Sequence, residues 1–113
     1  MTRRLKTGMA IAAIALMLTG IIGCYKNEPV PVADFYFSGN NDFKVPCNVK
    51  FTNRSTNAFS YDWVFGNDST SADTNPSHTY VKAGTYIVEL RAYTESRNEW
   101  ASKRKELVIR DTL

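Results

Sequence analysis

The chain has 113 residues, enough for one small domain once a targeting segment is set aside. Its formal charge of +3 reflects three of the 14 basic residues, Arg3, Arg4 and Lys6, because the other 11 balance the 11 acids. Without a basic stripe, nucleic acid is excluded as a partner. A single histidine and two cysteines provide no metal-ligand spacing and no catalytic cluster, so we expect no enzyme, no metal site and no cofactor.

The first segment has the features of an export signal. A positive stretch at 1–6 precedes an apolar run at 9–22, which is shorter than the roughly 20 residues of a spanning helix. The run ends Ile21-Ile22-Gly23-Cys24, which resembles the bacterial lipobox. The resemblance implies a helical signal peptide at 1–23, removed on export, and acyl chains on Cys24 that hold the protein on a membrane. The alternatives are an uncleaved anchor or a secretory signal cut elsewhere.

Tyr25 follows the predicted lipidated cysteine, and the absence of Asp there resembles the outer-membrane class of lipoproteins. We therefore expect an outer-membrane protein of the bacterial cell envelope, facing the periplasm or the cell surface. Residues 24–31 contain Pro29 and Pro31 and predict an extended tether. The seven residues after Cys24 reach no more than about 23 Å. Cys47 is then left without a partner, and we expect it to be buried.

The remaining residues alternate apolar and polar side chains with a period of two, which predicts strands with one buried face. Turn-rich segments separate these strands. The pattern indicates an all-β sandwich of about seven strands at 32–111, with Trp63 at its centre and Phe59 also facing inward. The predicted strands are 32–37, 47–53, 59–65, short pieces within 66–76, then 77–80, 85–93 and 100–110.

Three blocks in order resemble the PKD domain, an immunoglobulin-like module: Trp63-Val64-Phe65-Gly66-Asn67-Asp68, Asn75-Pro76-Ser77-His78-Thr79-Tyr80 and Gly84-Thr85-Tyr86-Ile87-Val88-Glu89-Leu90. Two departures are Val64 in place of the family's first Asp and Asn67-Asp68 in place of Asp-Gly. The resemblance implies structural roles, with His78 packed rather than acting as a base or ligand. These roles fall on Trp63, Phe65, Gly66, Asp68, Asn75, Pro76, His78, Tyr80, Gly84 and Tyr86.

The strongest candidate for binding lies on the outer face of the last two long strands. By parity, Tyr93 and Trp100 point outward and face each other across the loop at 94–99. Arg91 and Ile87 lie on the same face, so a platform for a sugar ring or a protein is predicted. The alternative is that the aromatic pair only stabilises the hairpin. We expect Lys103-Arg104-Lys105 to protect an edge strand from pairing with another chain.

Two minor hypotheses concern the turn segments. Asp68 and Asp73, with Asn67 and Asn75, are candidates for a calcium site, although turns favour these residues anyway. Ser69 and Thr112 lie in motifs that resemble O-glycosylation acceptors.

The function we expect is a monomeric, lipid-anchored, non-catalytic module for adhesion or binding of protein or carbohydrate. The alternative is a structural or accessory lipoprotein subunit of an outer-membrane assembly, in which the domain is a docking element or spacer.

Overall fold

Seven strands form two antiparallel sheets in the computed structural model, which describes residues 28–112. The strands are β1 Phe35–Gly39, β2 Cys47–Asn53, β3 Ser60–Val64, β4 Thr70–Ser71, β5 Ser77–Tyr80, β6 Gly84–Tyr93 and β7 Trp100–Ile109. One sheet has the order β1-β2-β5, and the other has the order β4-β3-β6-β7. The all-β sandwich prediction is confirmed. The predicted signal-peptide helix and Cys24 lie outside the described residues.

The core lies between the two sheets and is rich in aromatic rings. Trp63 is fully buried, and its ring lies 5.1 Å from Phe35 and 5.4 Å from Phe51, measured between centroids. Its indole Nε1 donates to the backbone oxygen of Asp73 at 2.8 Å, so the polar atom is satisfied where no water reaches it. Cys47 is also fully buried, as its lack of a partner predicted.

The prediction that Phe59 faces the core is wrong, because its side chain is 67% exposed. β3 begins one residue later, at Ser60, which pairs with Tyr93 at the last step of the β3–β6 ladder. The Phe59 backbone N–H still donates to the Tyr93 carbonyl at 2.7 Å. Its ring therefore lies beyond the paired part of the sheet, where it meets solvent instead of the core.

Strand pairing defines the two ends of the sandwich. At the distal end, Cys47 pairs with Tyr80, and a bridge joins Lys44 to Arg110. We call the opposite end the tether end: it holds 28–32, 54–60 and 93–100, and there Val32 pairs with Thr56 by two backbone hydrogen bonds of 3.0 and 2.9 Å.

Residues of the predicted tether lie against this end of the domain. Pro31 is buried, and the Val30 carbonyl accepts a hydrogen bond from Asn57 Nδ2 at 3.3 Å. Glu28 Oε1 accepts the Ser96 backbone N–H at 3.5 Å. The pKa of Glu28 is lowered because its side chain is hydrogen-bonded to Ser96. Within residues 28–112 we find no helix long and apolar enough to cross a bilayer.

Candidate binding face

The outer face of the four-stranded sheet carries an exposed aromatic pair at the tether end. Tyr93 and Trp100 are direct cross-strand partners on β6 and β7, with ring centroids 6.4 Å apart. Trp100 is 51% exposed. Alternation along two neighbouring strands places both rings outward, as the sequence predicted. Such pairs stabilise a hairpin, and half of the indole remains available to another molecule.

Two arginines cover parts of these rings. The guanidinium carbon of Arg91 lies 4.7 Å from the centroid of the Trp100 ring, and that of Arg97 lies 3.9 Å from the Tyr93 ring. Both distances lie within the range of cation–π attraction. The long side chains are therefore held against the aromatic rings, and less of their rotamer freedom remains to be lost on binding.

Carboxylates on the same face hold the guanidinium groups in place. Glu89 Oε2 accepts from Arg91 Nε at 3.2 Å, while Glu89 Oε1 lies 3.6 Å from Arg104 Nε. The hydrogen bond to Glu89 raises the pKa of Arg91, so this group remains cationic. Arg97 donates to Ser60 Oγ at 2.9 Å and to Asp62 Oδ2 at 3.4 Å. We call Asp62, Glu89, Arg91, Tyr93, Arg97, Trp100 and Arg104 the aromatic–arginine face.

A shallow open groove of about 570 Å³ adjoins this face between β3, β4 and β6. Its walls include Asp62, Val64, Ser71 and Ala72, with Arg91 and Tyr93 on the far side. Its volume lies in the range of small-ligand sites. Apolar, hydroxyl, carboxylate and guanidinium groups meet along it, so it can offer both stacking and hydrogen bonds to a ligand.

The structure brings three of the four predicted binding residues together. Trp100 contacts both Tyr93 and Arg91. Ile87, in contrast, lies six positions from Tyr93 along β6. At about 3.3 Å per residue, that separation is roughly 20 Å. Ile87 is exposed on the same side of the sheet but does not join the cluster.

Two contributors were missed by the sequence reasoning. Arg97 lies in the loop between β6 and β7 with a positive φ of 63°, where no periodicity predicts the direction of its side chain. The β4 wall of the groove, Ser71 and Ala72, lies in a polar segment whose strand has only two residues. A weak signal lay in β3, where alternation with the inward-facing Trp63 places Asp62 and Val64 on the outer side, next to this wall.

The motif residues build a packed cluster around β5. His78 stacks on Phe65 with centroids 4.7 Å apart and planes at 6°, and the Tyr80 ring lies in a T-shaped arrangement with His78 at 4.8 Å. Burial lowers the pKa of His78. Its Nε2 accepts from Asn67 Nδ2 at 2.9 Å, which also favours the neutral ring. These are the contacts of a structural side chain.

The turn after β3 is held by two members of this cluster. The hydroxyl of Tyr80, which is fully buried, donates to the Phe65 carbonyl at 2.8 Å. Gly66 follows with φ of +92°, and a Cβ there would lie 2.9 Å from the Ile87 carbonyl oxygen. Glycine is therefore required by both backbone conformation and space.

Three of the remaining motif residues, Asn75, Pro76 and Tyr86, also form structural hydrogen bonds. Asn75 Oδ1 accepts the Asn53 backbone N–H at 2.8 Å, and buried Pro76 accepts from Phe51 N–H at 2.9 Å. Asp68 is exposed with φ of 70°, Gly84 opens β6 with φ of 159°, and Tyr86 donates to the Lys82 carbonyl at 2.6 Å.

Asp68, Asp73, Asn67 and Asn75 were predicted as candidate ligands of a calcium ion. Asn75 and Asn67 have the protein partners given above. Across residues 28–112 we find no group of three His, Cys, Asp or Glu side chains arranged for a metal ion.

Lys103-Arg104-Lys105 lies on β7, which is an edge strand as predicted. Lys105 points toward the core side, with its Nζ 5.2 Å from the centroid of the Phe35 ring. The basic run therefore lies on an edge strand of the sheet formed by residues 28–112, and charges at an edge oppose pairing with a second chain.

Two solved PKD1 domains are similar to this chain over nearly their whole length. It is 25% identical to the PKD1 domain of Vibrio anguillarum Epp, covering 75% of this chain and 99% of that one with a TM-score of 0.64. It is 27% identical to the PKD1 domain of the Vibrio cholerae metalloprotease PrtV, covering 73% and 99% with a TM-score of 0.62.

Among curated proteins, collagenase ColA of Bacillus cereus is 37% identical over 51 residues. That match covers 45% of this chain and 5% of the collagenase, so the chain spans a small part of that relative. A family model described as PKD domain matches residues 26–109, which is most of the chain. The chain therefore belongs to the PKD domain family.

Proposed function

We propose that this protein is a non-catalytic binding module of the bacterial cell envelope, anchored by lipid on Cys24, and that its aromatic–arginine face takes a protein or carbohydrate ligand. The observation that carries the proposal is the exposed Trp100, held between Tyr93 and Arg91 on an otherwise regular sheet. Residues of these three types dominate binding energy at protein interfaces.

The physical support is that the face is already organised before a ligand arrives. Arg91 and Arg97 are held by carboxylates and by ring contacts, so binding orders few additional side chains. An aromatic ring offers stacking to a sugar or an apolar side chain, while the guanidinium groups and the groove wall offer hydrogen bonds. No proton or electron transfer is needed for this role.

Ligand binding can be tested with the double variant Tyr93→Ala/Trp100→Ala on a glycan array and in a pull-down from envelope extracts. We expect loss of retention with unchanged circular dichroism, because both rings lie outside the core. Val108→Ala is the matched control: it removes an exposed apolar group from the outer face of β7 near the distal end. Retention by the folded double variant would contradict the proposal.

Anchoring at Cys24 is tested separately. Mass spectrometry of the N-terminal peptide should find acyl chains on Cys24 as the first residue, and Cys24→Ser should release the protein from membranes. Protease treatment of intact cells distinguishes a periplasmic from a surface-facing domain. Detection of the intact segment 1–23 in the mature protein would contradict lipoprotein processing.

The second candidate is an accessory lipoprotein subunit of an outer-membrane assembly. It is favoured by the contacts of Glu28 and Val30 with the domain, which leave only residues 25–27 between Cys24 and the folded part. A domain held this close to a bilayer suits docking on a membrane-embedded neighbour. Crosslinking in intact cells to one abundant partner, combined with an empty glycan array, would favour this role.

A further inference from the structure

The tether end carries exposed apolar side chains that the proposed ligand face does not use. Val30, Val32 and Phe59 are 69%, 55% and 67% exposed. We call these three residues the base patch. A scattered exposed valine needs no explanation, but three such groups at the end where the chain enters the domain form a potential contact surface.

Backbone contacts fix the base patch to the sandwich. The Val30 carbonyl accepts from Asn57, and Val32 pairs with Thr56, three residues before Phe59. Phe59 itself is bonded through its N–H to the end of β6. The three side chains are therefore presented by the folded domain and not by a loose linker.

The length of chain before this patch limits what can cover it. Four peptide steps separate Cys24 from Glu28, a reach of no more than about 14 Å. If the apolar run at 9–22 remains as an anchor, six steps separate Ile22 from Glu28, about 21 Å. β7 alone, with ten residues, extends about 33 Å away toward the distal end. Under either form of anchoring, the spacer holds the base patch close to the bilayer, whereas the length of β7 allows the distal end to stand further away.

We propose that the base patch rests on the lipid headgroup region and orients the domain upright on the membrane, with the aromatic–arginine face directed sideways. This inference rests on the membrane anchoring proposed above. Phe is suited to the boundary between headgroups and acyl chains, and the two valines add apolar area. Partial insertion of these groups would reduce the tumbling of the domain about its short spacer.

The charges at this end indicate which lipids are involved. Among the described residues of the tether end, Glu28, Glu95 and Glu99 are negative while Arg54 and Arg97 are positive, so this end has a net charge of −1. Attraction to anionic lipids therefore does not drive the contact. We expect association with zwitterionic phosphatidylcholine or phosphatidylethanolamine surfaces, with little change when ionic strength is raised.

Tryptophan quenching by brominated lipids tests the orientation. The lipidated protein, expressed with its own N-terminal segment, is reconstituted in phosphatidylcholine vesicles brominated along the acyl chains. In a Trp100→Phe background, Phe59→Trp reports on the base patch, and Val81→Trp is the matched control at the distal end with 69% exposure. Fully buried Trp63 supplies a constant background, measured in Trp100→Phe alone.

We expect the Phe59→Trp variant to lose emission and to shift to the blue, while the Val81→Trp variant keeps its emission unchanged. Equal quenching of both reporters, or of neither, on vesicles that carry the protein through flotation would overturn the upright orientation while leaving the anchor intact. Failure of the protein to float with vesicles would overturn the anchor and this inference together. Loss of ligand retention by the Tyr93→Ala/Trp100→Ala variant is independent of all three results.

Discussion

The two tryptophans of the chain lie on opposite surfaces of the same sheet. Trp63 on β3 is fully buried between Phe35 and Phe51, with its Nε1 bonded to a backbone carbonyl. Trp100 on β7 is half exposed, with a guanidinium over its ring. The same side chain thus holds the two sheets together in one place and faces solvent in the other, and strand parity decides which.

The two surfaces differ in the interactions they use: the inner one stabilises the fold, and the outer one carries the proposed ligand face. Contacts on the inner surface are apolar and water-free, so each lost contact leaves a cavity. Contacts on the outer surface are cation–π pairs and ion pairs in water, and such pairs contribute little to stability. Substitutions on the two sides should therefore differ several-fold in their effect on unfolding.

The largest effect is expected for Trp63→Ala. Removing a fully buried indole from an aromatic core should lower the free energy of unfolding by about 3–5 kcal/mol. For a domain of this size, that corresponds to a fall in Tm of at least roughly 12 °C. Thermal and urea unfolding followed by circular dichroism measure it. A loss below about 1 kcal/mol would show that Trp63 does not hold the sheets together.

Tyr80→Phe tests a single buried hydrogen bond on the inner side. The change keeps the ring but leaves the Phe65 carbonyl without its donor at 2.8 Å. An unsatisfied buried acceptor costs about 1–3 kcal/mol, so an intermediate destabilisation is expected. The control is Tyr86→Phe, which removes an exposed hydroxyl bond to Lys82. Comparing the free energies of urea unfolding of the two variants distinguishes the effect of burial from that of losing a hydrogen bond. Equal losses in the two variants would contradict the reason given.

His78 should make stability depend on pH. Its pKa in the folded protein lies below the ordinary 6.5, so the unfolded chain binds the proton more tightly. Stability is therefore fully present above about pH 6.5 and declines as the pH falls toward the lowered pKa.

His78→Phe keeps a ring against Phe65 and removes the only histidine of the chain. Urea unfolding from about pH 7.5 to 5.5 should show a shallower decline in this variant than in the parent. Parallel profiles would contradict the assignment.

The smallest change in stability is expected for Trp100→Ala. An exposed cross-strand pair contributes about 0.2–1 kcal/mol and an exposed cation–π contact about 0.5–1 kcal/mol, so the two together contribute at most about 2 kcal/mol. The change should therefore reduce ligand retention far more than Tm. A loss of stability comparable to that of Trp63→Ala would mean that the aromatic–arginine face is part of the structural core.

Parts of this fold could be predicted from the local alternation of apolar and polar residues. The bounds of β2 and β5 were predicted to the residue, because alternation and flanking turns marked both ends. Phe59 was misplaced because parity gives the side of a strand and not the point where pairing stops. The Tyr93–Trp100 pair was predicted from parity and loop length. Arg97 was not, since its ring contact depends on a loop conformation that no periodicity encodes.

Sequence alone determined the alternation of the strands, the family motif and the balanced charge of the domain. These features are local, and side-chain spacing along a strand sets them directly. Tertiary structure decided which side chains meet. It places the arginines over Tyr93 and Trp100, forms the groove beside β4, and brings Glu28 against the loop after β6. Each of these joins residues from different elements, and only the packing of the chain fixes their distances.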